Sequence, residues 1–292
     1  LSGKQYLSSI CTVLSKMVSN YDFLTGLFRV PHDMRRPHLY ARIFPVLTEL
    51  CTYHPFIGQD EQFCLMHTME IGLVAHSAAL CVSCLTVCML EVPFVLARLL
   101  PTYLEKFAKL SPTPQVAIPL LEFLSALSHL RELYTNFTAV QLKQVFGICL
   151  PYTESSRYSQ YTVTLAHNVI CSWYVNCPLL LRKQFVAFIT KSLKDTEMSS
   201  KTPPPYSKVP TSPSKLQPPP TFPDKPNQDS SNTLSSEMVE IAVDMMVKHT
   251  FSSPLTQPKR TAVVDQLLAN GSSRTWLLGN VLVTVTVSKR TP

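Results

Sequence analysis

From Lys4 to Lys194 apolar residues recur at spacings of three and four, and the pattern is broken only by short stretches holding Pro, Gly or Asn. That period belongs to helices with one buried face. It predicts helices near 4–19, 36–54, 59–75, 77–90, 93–109, 114–131, 138–149, 157–176 and 179–194. Connections of a few residues force consecutive helices to lie antiparallel. With 46% hydrophobic residues over 292 positions there is enough apolar surface for a sizeable core.

Three segments place a proline inside such a pattern: Ile43-Phe44-Pro45-Val46-Leu47, Leu99-Leu100-Pro101-Thr102-Tyr103-Leu104 and Ala117-Ile118-Pro119-Leu120-Leu121. A mid-helix proline removes a backbone bond and bends the helix, a device common in the first helix of HEAT-type repeats. Each proline can instead open a helix, and Pro112 and Pro114 upstream make that alternative strong for Pro119. No fixed repeat length emerges. The fold class expected for 1–194 is therefore all-α, an irregular HEAT-like α-solenoid.

Composition changes after Asp195. Ten prolines crowd the next forty residues, among them Pro203-Pro204-Pro205 and Pro218-Pro219-Pro220. Such a stretch cannot bury enough apolar area to offset its ordering entropy, so 195–235 is expected to be a disordered, Pro/Ser-rich linker. Thr202-Pro203 and Ser212-Pro213 within it suit a proline-directed kinase; a plain spacer explains them equally. The remainder, 236–292, is expected to form a helix plus a β-hairpin. The helix Ser236–Val247 would bury Met238, Ile241, Ala242, Met245 and Met246. A short helix at Val263–Leu268 would close at Asn270-Gly271. Gly279-Asn280 between β-branched runs signals the hairpin turn, and the Val/Thr alternation of 281–287 gives one apolar face. A lone two-stranded hairpin is marginal in water, so it is expected to join a larger sheet.

Several functions lack support. The net charge of +7 is scattered as single Lys and Arg rather than gathered into a basic block, so no nucleic-acid partner is expected. Nine cysteines, an odd number, sit mostly in apolar stretches and read as small buried hydrophobes of a reducing compartment. The triplets at Asn136 and Asn270 match the glycosylation pattern by chance. Ile71–Leu90 carries no formal charge and is the one candidate membrane span. A turn at His76, with Ser77 capping a new helix, divides it better into two buried helices, so no transmembrane segment is expected.

Cys64-x2-His67 and Cys81-x2-Cys84, with Cys88 and His76 in reserve, offer zinc-type ligands. Cys81, Cys84 and Cys88 nevertheless share one face of an apolar helix, whereas structural zinc pairs sit on tight turns. His167-Asn168 and Trp173-Tyr174 read as packing residues on a periodic helix. With seven glycines and no phosphate loop or nucleophile turn, no catalytic, cofactor-binding or metal-binding residue is assigned and no cofactor is expected. On these residues alone the chain is a helical-repeat interaction scaffold. Leu1 in place of Met, and an end at Pro292 just after an apolar run, suggest an excerpt of a longer protein.

A resemblance adds to this. Val116-Ala117-Ile118-Pro119-Leu120-Leu121-Glu122-Phe123-Leu124-Ser125, Tyr134-Thr135-Asn136-Phe137, Leu150-Pro151-Tyr152-Thr153, Gln160-Tyr161, Leu165-Ala166-His167, Arg182-Lys183-Gln184-Phe185-Val186 and Phe188-Ile189-Thr190-Lys191 resemble the tuberin family. So, in the same order, do Asp244-Met245-Met246, Pro258-Lys259-Arg260, Thr275-Trp276-Leu277-Leu278-Gly279-Asn280 and Leu282-Val283-Thr284-Val285-Thr286.

The resemblance implies HEAT repeats, hamartin as partner, self-association in the full complex, and a cytoplasmic protein recruited peripherally to lysosomal membranes. It also implies a far C-terminal domain that activates GTP hydrolysis by Rheb and so restrains TOR signalling. No stretch of this chain matches that domain, so its catalytic asparagine is carried over to no residue, and the fragment itself is expected to be no enzyme. The family's linker is a target of basophilic kinases that read Arg before the acceptor, but 195–236 contains no Arg.

Overall fold

A computed structural model of the chain describes residues 2–26, 29, 34–73, 77–201, 228–251, 271–278 and 281–287. The chain divides into two compact units, Leu1–Thr250 and Phe251–Pro292. The first holds helices α1 (Ser2–Ser19), α2 (Arg36–Cys51), α3 (Gln59–Ile71), α4 (Ala78–Glu91), α5 (Pro93–Lys109), α6 (Pro114–His129), α7 (Arg131–Tyr134), α8 (Ala139–Cys149), α9 (Gln160–Asn176), α10 (Leu179–Lys201) and α11 (Gln228–Phe251). Single 3₁₀ turns lie at His54–Phe56 and Leu150–Thr153.

Contacts run between alternate helices and so define two layers. α1 packs on α3, α3 on α5, α5 on α8 and α8 on α10; α2 packs on α4, α4 on α6 and α6 on α9. Successive helices pair across the layers, which is the stacking of an α-solenoid. The pairs begin at Ser2, Gln59, Pro93, Ala139 and Leu179, unequal steps that explain why no period shows in the sequence.

Pro45, Pro101 and Pro119 all lie inside helices (α2, α5 and α6), so Pro119 does not open its helix. Helix starts are instead marked by Pro37, Pro93 and Pro114, where the missing N–H costs nothing. Pro45 and Pro119 belong to one layer and Pro101 to the other, so the internal prolines do not mark one class of helix. α8 opens with a capping box: the Thr138 hydroxyl accepts from the Gln141 amide while the Gln141 carboxamide accepts from the Thr138 amide at 2.7 Å.

The core is continuous along the stack. Trp173 of α9 is fully buried, donates its indole N–H to the Leu124 carbonyl of α6 at 2.8 Å, and meets the Tyr134 ring at 4.8 Å. Tyr103 of α5 donates to the Met66 carbonyl of α3 at 2.6 Å, and Phe107 packs edge-on against Phe123 of α6 at 5.4 Å. Among the described residues no helix is long and apolar enough to cross a membrane. Within 71–90, α3 ends at Ile71 and α4 starts at Ala78. Ser77 stands at the N-cap but does not cap α4; its hydroxyl donates to the Gly72 carbonyl at 2.7 Å.

Two expectations around the linker change. α10 continues to Lys201 and α11 starts at Gln228, so 195–201 and 228–235 are helical; the rest of the linker, with Thr202 and Ser212, lies outside the described residues. α11 also packs in the helical unit, whereas sequence patterning groups it with the hairpin. Gln160 and Thr164 near the start of α9 reach the Met238 sulfur at 3.7 and 3.6 Å, and Tyr174 near the end of α9 bonds Thr250. α11 therefore runs parallel to α9, and its last turn meets α10 where Arg182 reaches the His249 carbonyl. Its buried side is Ser235, Val239, Ala242 and Met246, spaced i, i+4, i+7, i+11, while Ile241 is 68% exposed.

The second unit contains a two-stranded antiparallel sheet, β1 (Ser272–Leu278) and β2 (Val281–Val287), with Leu278 opposite Val281. The turn at Gly279-Asn280 and the helix expected at Val263–Leu268 lie outside the described residues. Thr275 faces Thr284 and Ser273 faces Thr286, with hydroxyls 3.0 and 2.9 Å apart, and Trp276 faces Val283 on the opposite side. One face thus carries the hydroxyls of Ser273, Thr275, Thr284 and Thr286, and the other carries Trp276 with Val283, Val285 and Val287.

Candidate interaction surface

The zinc-type residues do not converge. Cys81, Cys84 and Cys88 point from α4 into the core, Cys64 is exposed on α3, and His67 bonds Glu70 at 2.9 Å; His76 lies outside the described residues. No group of three metal-type side chains comes together among the described residues. Burial raises the pKa of Cys81 and Cys84, and a hydrogen bond with Cys51, whose sulfur is 3.2 Å away, and burial raise that of Cys88. These sulfurs stay thiols at neutral pH, unsuited to metal or nucleophilic work.

His167 is buried and bonded through Nδ1 to the Val163 carbonyl oxygen one turn back at 2.9 Å, while its Nε2 has no partner among the described residues. Burial lowers its pKa, opposed by the Val163 bond. Asn168 sits apart from it, on the rim of a groove of about 560 Å³ between α6, α9 and α11.

The strongest polar constellation was invisible to sequence spacing. Arg182 is buried near the start of α10 and donates to three carbonyls: Cys177 at 3.1 Å, Val175 at 2.6 Å and His249 at 3.1 Å. The first two close the end of α9 and the third lies in the last turn of α11. A guanidinium satisfies the unbonded carbonyls and the negative end of both helix dipoles at once. Tyr174 adds to the clamp, donating to the Arg182 carbonyl at 3.1 Å and bonding Thr250. The only sequence signal was an Arg in an otherwise apolar helix start.

An ion pair ties α3 to α5 through Glu70 and Lys106 at 2.9 Å. Burial opposes ionisation of Glu70, yet bonds from Lys106 and His67 bring its pKa below the usual carboxylate value.

What the geometry offers is surface: a stack of helix pairs with grooves between layers and exposed apolar side chains at its edges. This is the class of helical-repeat proteins. The family model described as "Tuberin" matches residues 1–180, and the chain belongs to the tuberin family. The "Tuberous sclerosis 2 protein homolog" of Schizosaccharomyces pombe (strain 972 / ATCC 24843) is 26% identical over 279 residues, covering 89% of this chain. The chain spans 18% of that relative's length.

Proposed function

We propose that this stretch is a non-catalytic scaffold region of a hamartin-bound GTPase activator that acts on Rheb and restrains TOR signalling. The observation that carries the proposal is the family match over 1–180, the segment that forms the first four helix pairs. A stacked solenoid presents a long, rigid surface to a partner and needs no reactive group of its own. The activating step belongs to another part of such a protein, which reaches its target while this stretch holds the assembly together. Cytoplasmic location, peripheral recruitment to lysosomal membranes and self-association of the complex follow from the same proposal.

Co-purification tests the scaffold role. The 292-residue chain, tagged and mixed with hamartin, is expected to retain it through washing at physiological ionic strength. Hamartin lost from this chain but kept by the full-length protein under the same conditions overturns the assignment.

A further inference from the structure

We propose that Cys51 and Cys88 form a dithiol site that peroxide closes to a disulfide, bonding α2 covalently to α4. The two sulfurs lie 3.2 Å apart in hydrogen-bond contact, although 37 positions separate them in the chain. No other two of the nine cysteines bring their sulfurs into such contact among the described residues. A disulfide bond is about 2 Å long, so about 1 Å of approach and a turn of the two side chains complete it.

The surroundings set which sulfur meets the oxidant. Cys88 is fully buried within α4, which ends at Glu91. Cys51 is the last residue of α2, and Thr52 and Tyr53 after it are exposed. Three residues beyond each cysteine stand His54 and Glu91, whose side chains meet at 3.7 Å and are 40% and 35% exposed. The thiol pair thus lies just beneath the surface, under one half-exposed contact. The hydrogen bond from Cys51 and burial push the Cys88 thiol up, so Cys88 keeps its proton and Cys51 is the accepting sulfur.

The Cys51 sulfur attacks one oxygen of hydrogen peroxide; the O–O bond breaks, and the departing hydroxide takes the Cys51 proton as water, leaving a sulfenic acid. The Cys88 sulfur then bonds to the Cys51 sulfur, the S–OH bond breaks, and the hydroxyl leaves with the Cys88 proton as a second water. Two thiols and one peroxide become one disulfide and two waters. Buried thiols are poor nucleophiles toward dissolved reagents, so the first step is slow. The second needs no encounter, because the sulfurs are already in contact. Such a site answers to sustained peroxide rather than to a brief pulse.

α2 and α4 are neighbours in one layer, so the bond fixes the joint between the first two helix pairs. The site stands whichever partner the scaffold holds. Its test treats the reduced 292-residue chain with hydrogen peroxide, either folded or unfolded in urea. Remaining thiols are alkylated under denaturing conditions, and an unreduced digest is mapped by mass spectrometry. The folded chain is expected to yield the Cys51–Cys88 peptide pair above all others, two hydrogens lighter than its two thiol peptides together. Its urea midpoint is expected to rise on oxidation and to return with dithiothreitol. The unfolded chain is expected to give a mixture of pairs. Cys64→Ala, which removes the exposed thiol, is expected to change none of this, and Cys51→Ala to lose both the linkage and the midpoint shift.

Cys51 and Cys88 both alkylated after prolonged peroxide, the same mixture of pairs from folded and unfolded chains, or a midpoint shift that persists in Cys51→Ala overturns the proposal. Linkage mapping on the unsubstituted chain decides alone if a circular-dichroism melt shows that Cys51→Ala does not fold.

Discussion

Arg182 and Gly72 carry more of the fold than their positions in the sequence suggest. Replacing Arg182 by Met keeps much of its packing but strands the carbonyls of Val175, Cys177 and His249. Bonds to a charged donor are worth about 1.5–3 kcal/mol each and are not additive, so Arg182→Met should cost about 3 kcal/mol in a urea melt. Lys in its place should recover only part of this, because one ammonium lacks the fork that spans three acceptors. Gly72 follows α3 where a Cβ would strike the Cys81 sulfur and the Phe44 ring, the latter being fully buried. Gly72→Ala should therefore destabilise by about 1–3 kcal/mol, the range of overpacked cores, with the helix content of the folded state unchanged.

His167 sets a pH dependence. Its folded pKa is depressed by burial, so below the ordinary histidine value the unfolded chain binds a proton that the folded one refuses. Stability then falls as the pH drops from the unfolded pKa, about 6.5, toward the lowered folded pKa, below which this loss stops growing. Chemical melts between pH 7.5 and 5 should show that decline, and His167→Gln should flatten it. The core role of His167 was legible from its place on a periodic helix. The Arg182 clamp was not, because its acceptors are backbone carbonyls, one of them, that of His249, brought from 67 residues away, and carbonyls leave no mark in a sequence.

At the scale of elements, helices α1 to α6 and α8 to α10 were legible within a few residues at their starts, because each has a proline, glycine or hydroxyl residue there and a continuous 3.6-residue pattern; the single turn α7, which starts at Arg131 after Leu130, carries no such mark and was not read. α11 was recognised as a helix and misassigned to the hairpin. A proline-rich stretch looks like a domain boundary, but α10 before it and α11 after it belong to one compact unit, and long insertions between elements cost little stability. The buried face of α11 was half misjudged, since Met and Ile at neighbouring spacings give two overlapping stripes and only packing on α9 decides between them. The two strands and the Val/Thr alternation of β2 were read directly. Hydrogen exchange should therefore separate the two: amides of α11 should be protected as strongly as those of α9, whereas β1 and β2, a two-stranded sheet, should exchange readily in this chain. Strong protection of the hairpin would show that it needs no further strands, and fast exchange in α11 would detach it from the stack.

For the molecule as a whole, the solenoid class was legible from helix after helix with short connections, while its two-layer order was not, because unequal pair lengths hide the repeat. Of the candidate residues, most cysteines and His167 were read as core, and Cys81, Cys84, Cys88 and His167 are buried. The site's positive feature, the arginine clamp, depends on which helix ends are brought together. On the scaffold proposal the molecule positions partners, and the chemistry of GTP hydrolysis lies in another part of such a protein. The direct measurement is single-turnover GTP hydrolysis by Rheb, with and without a saturating amount of the 292-residue chain. The account predicts the same rate in both, and acceleration by the chain would contradict it.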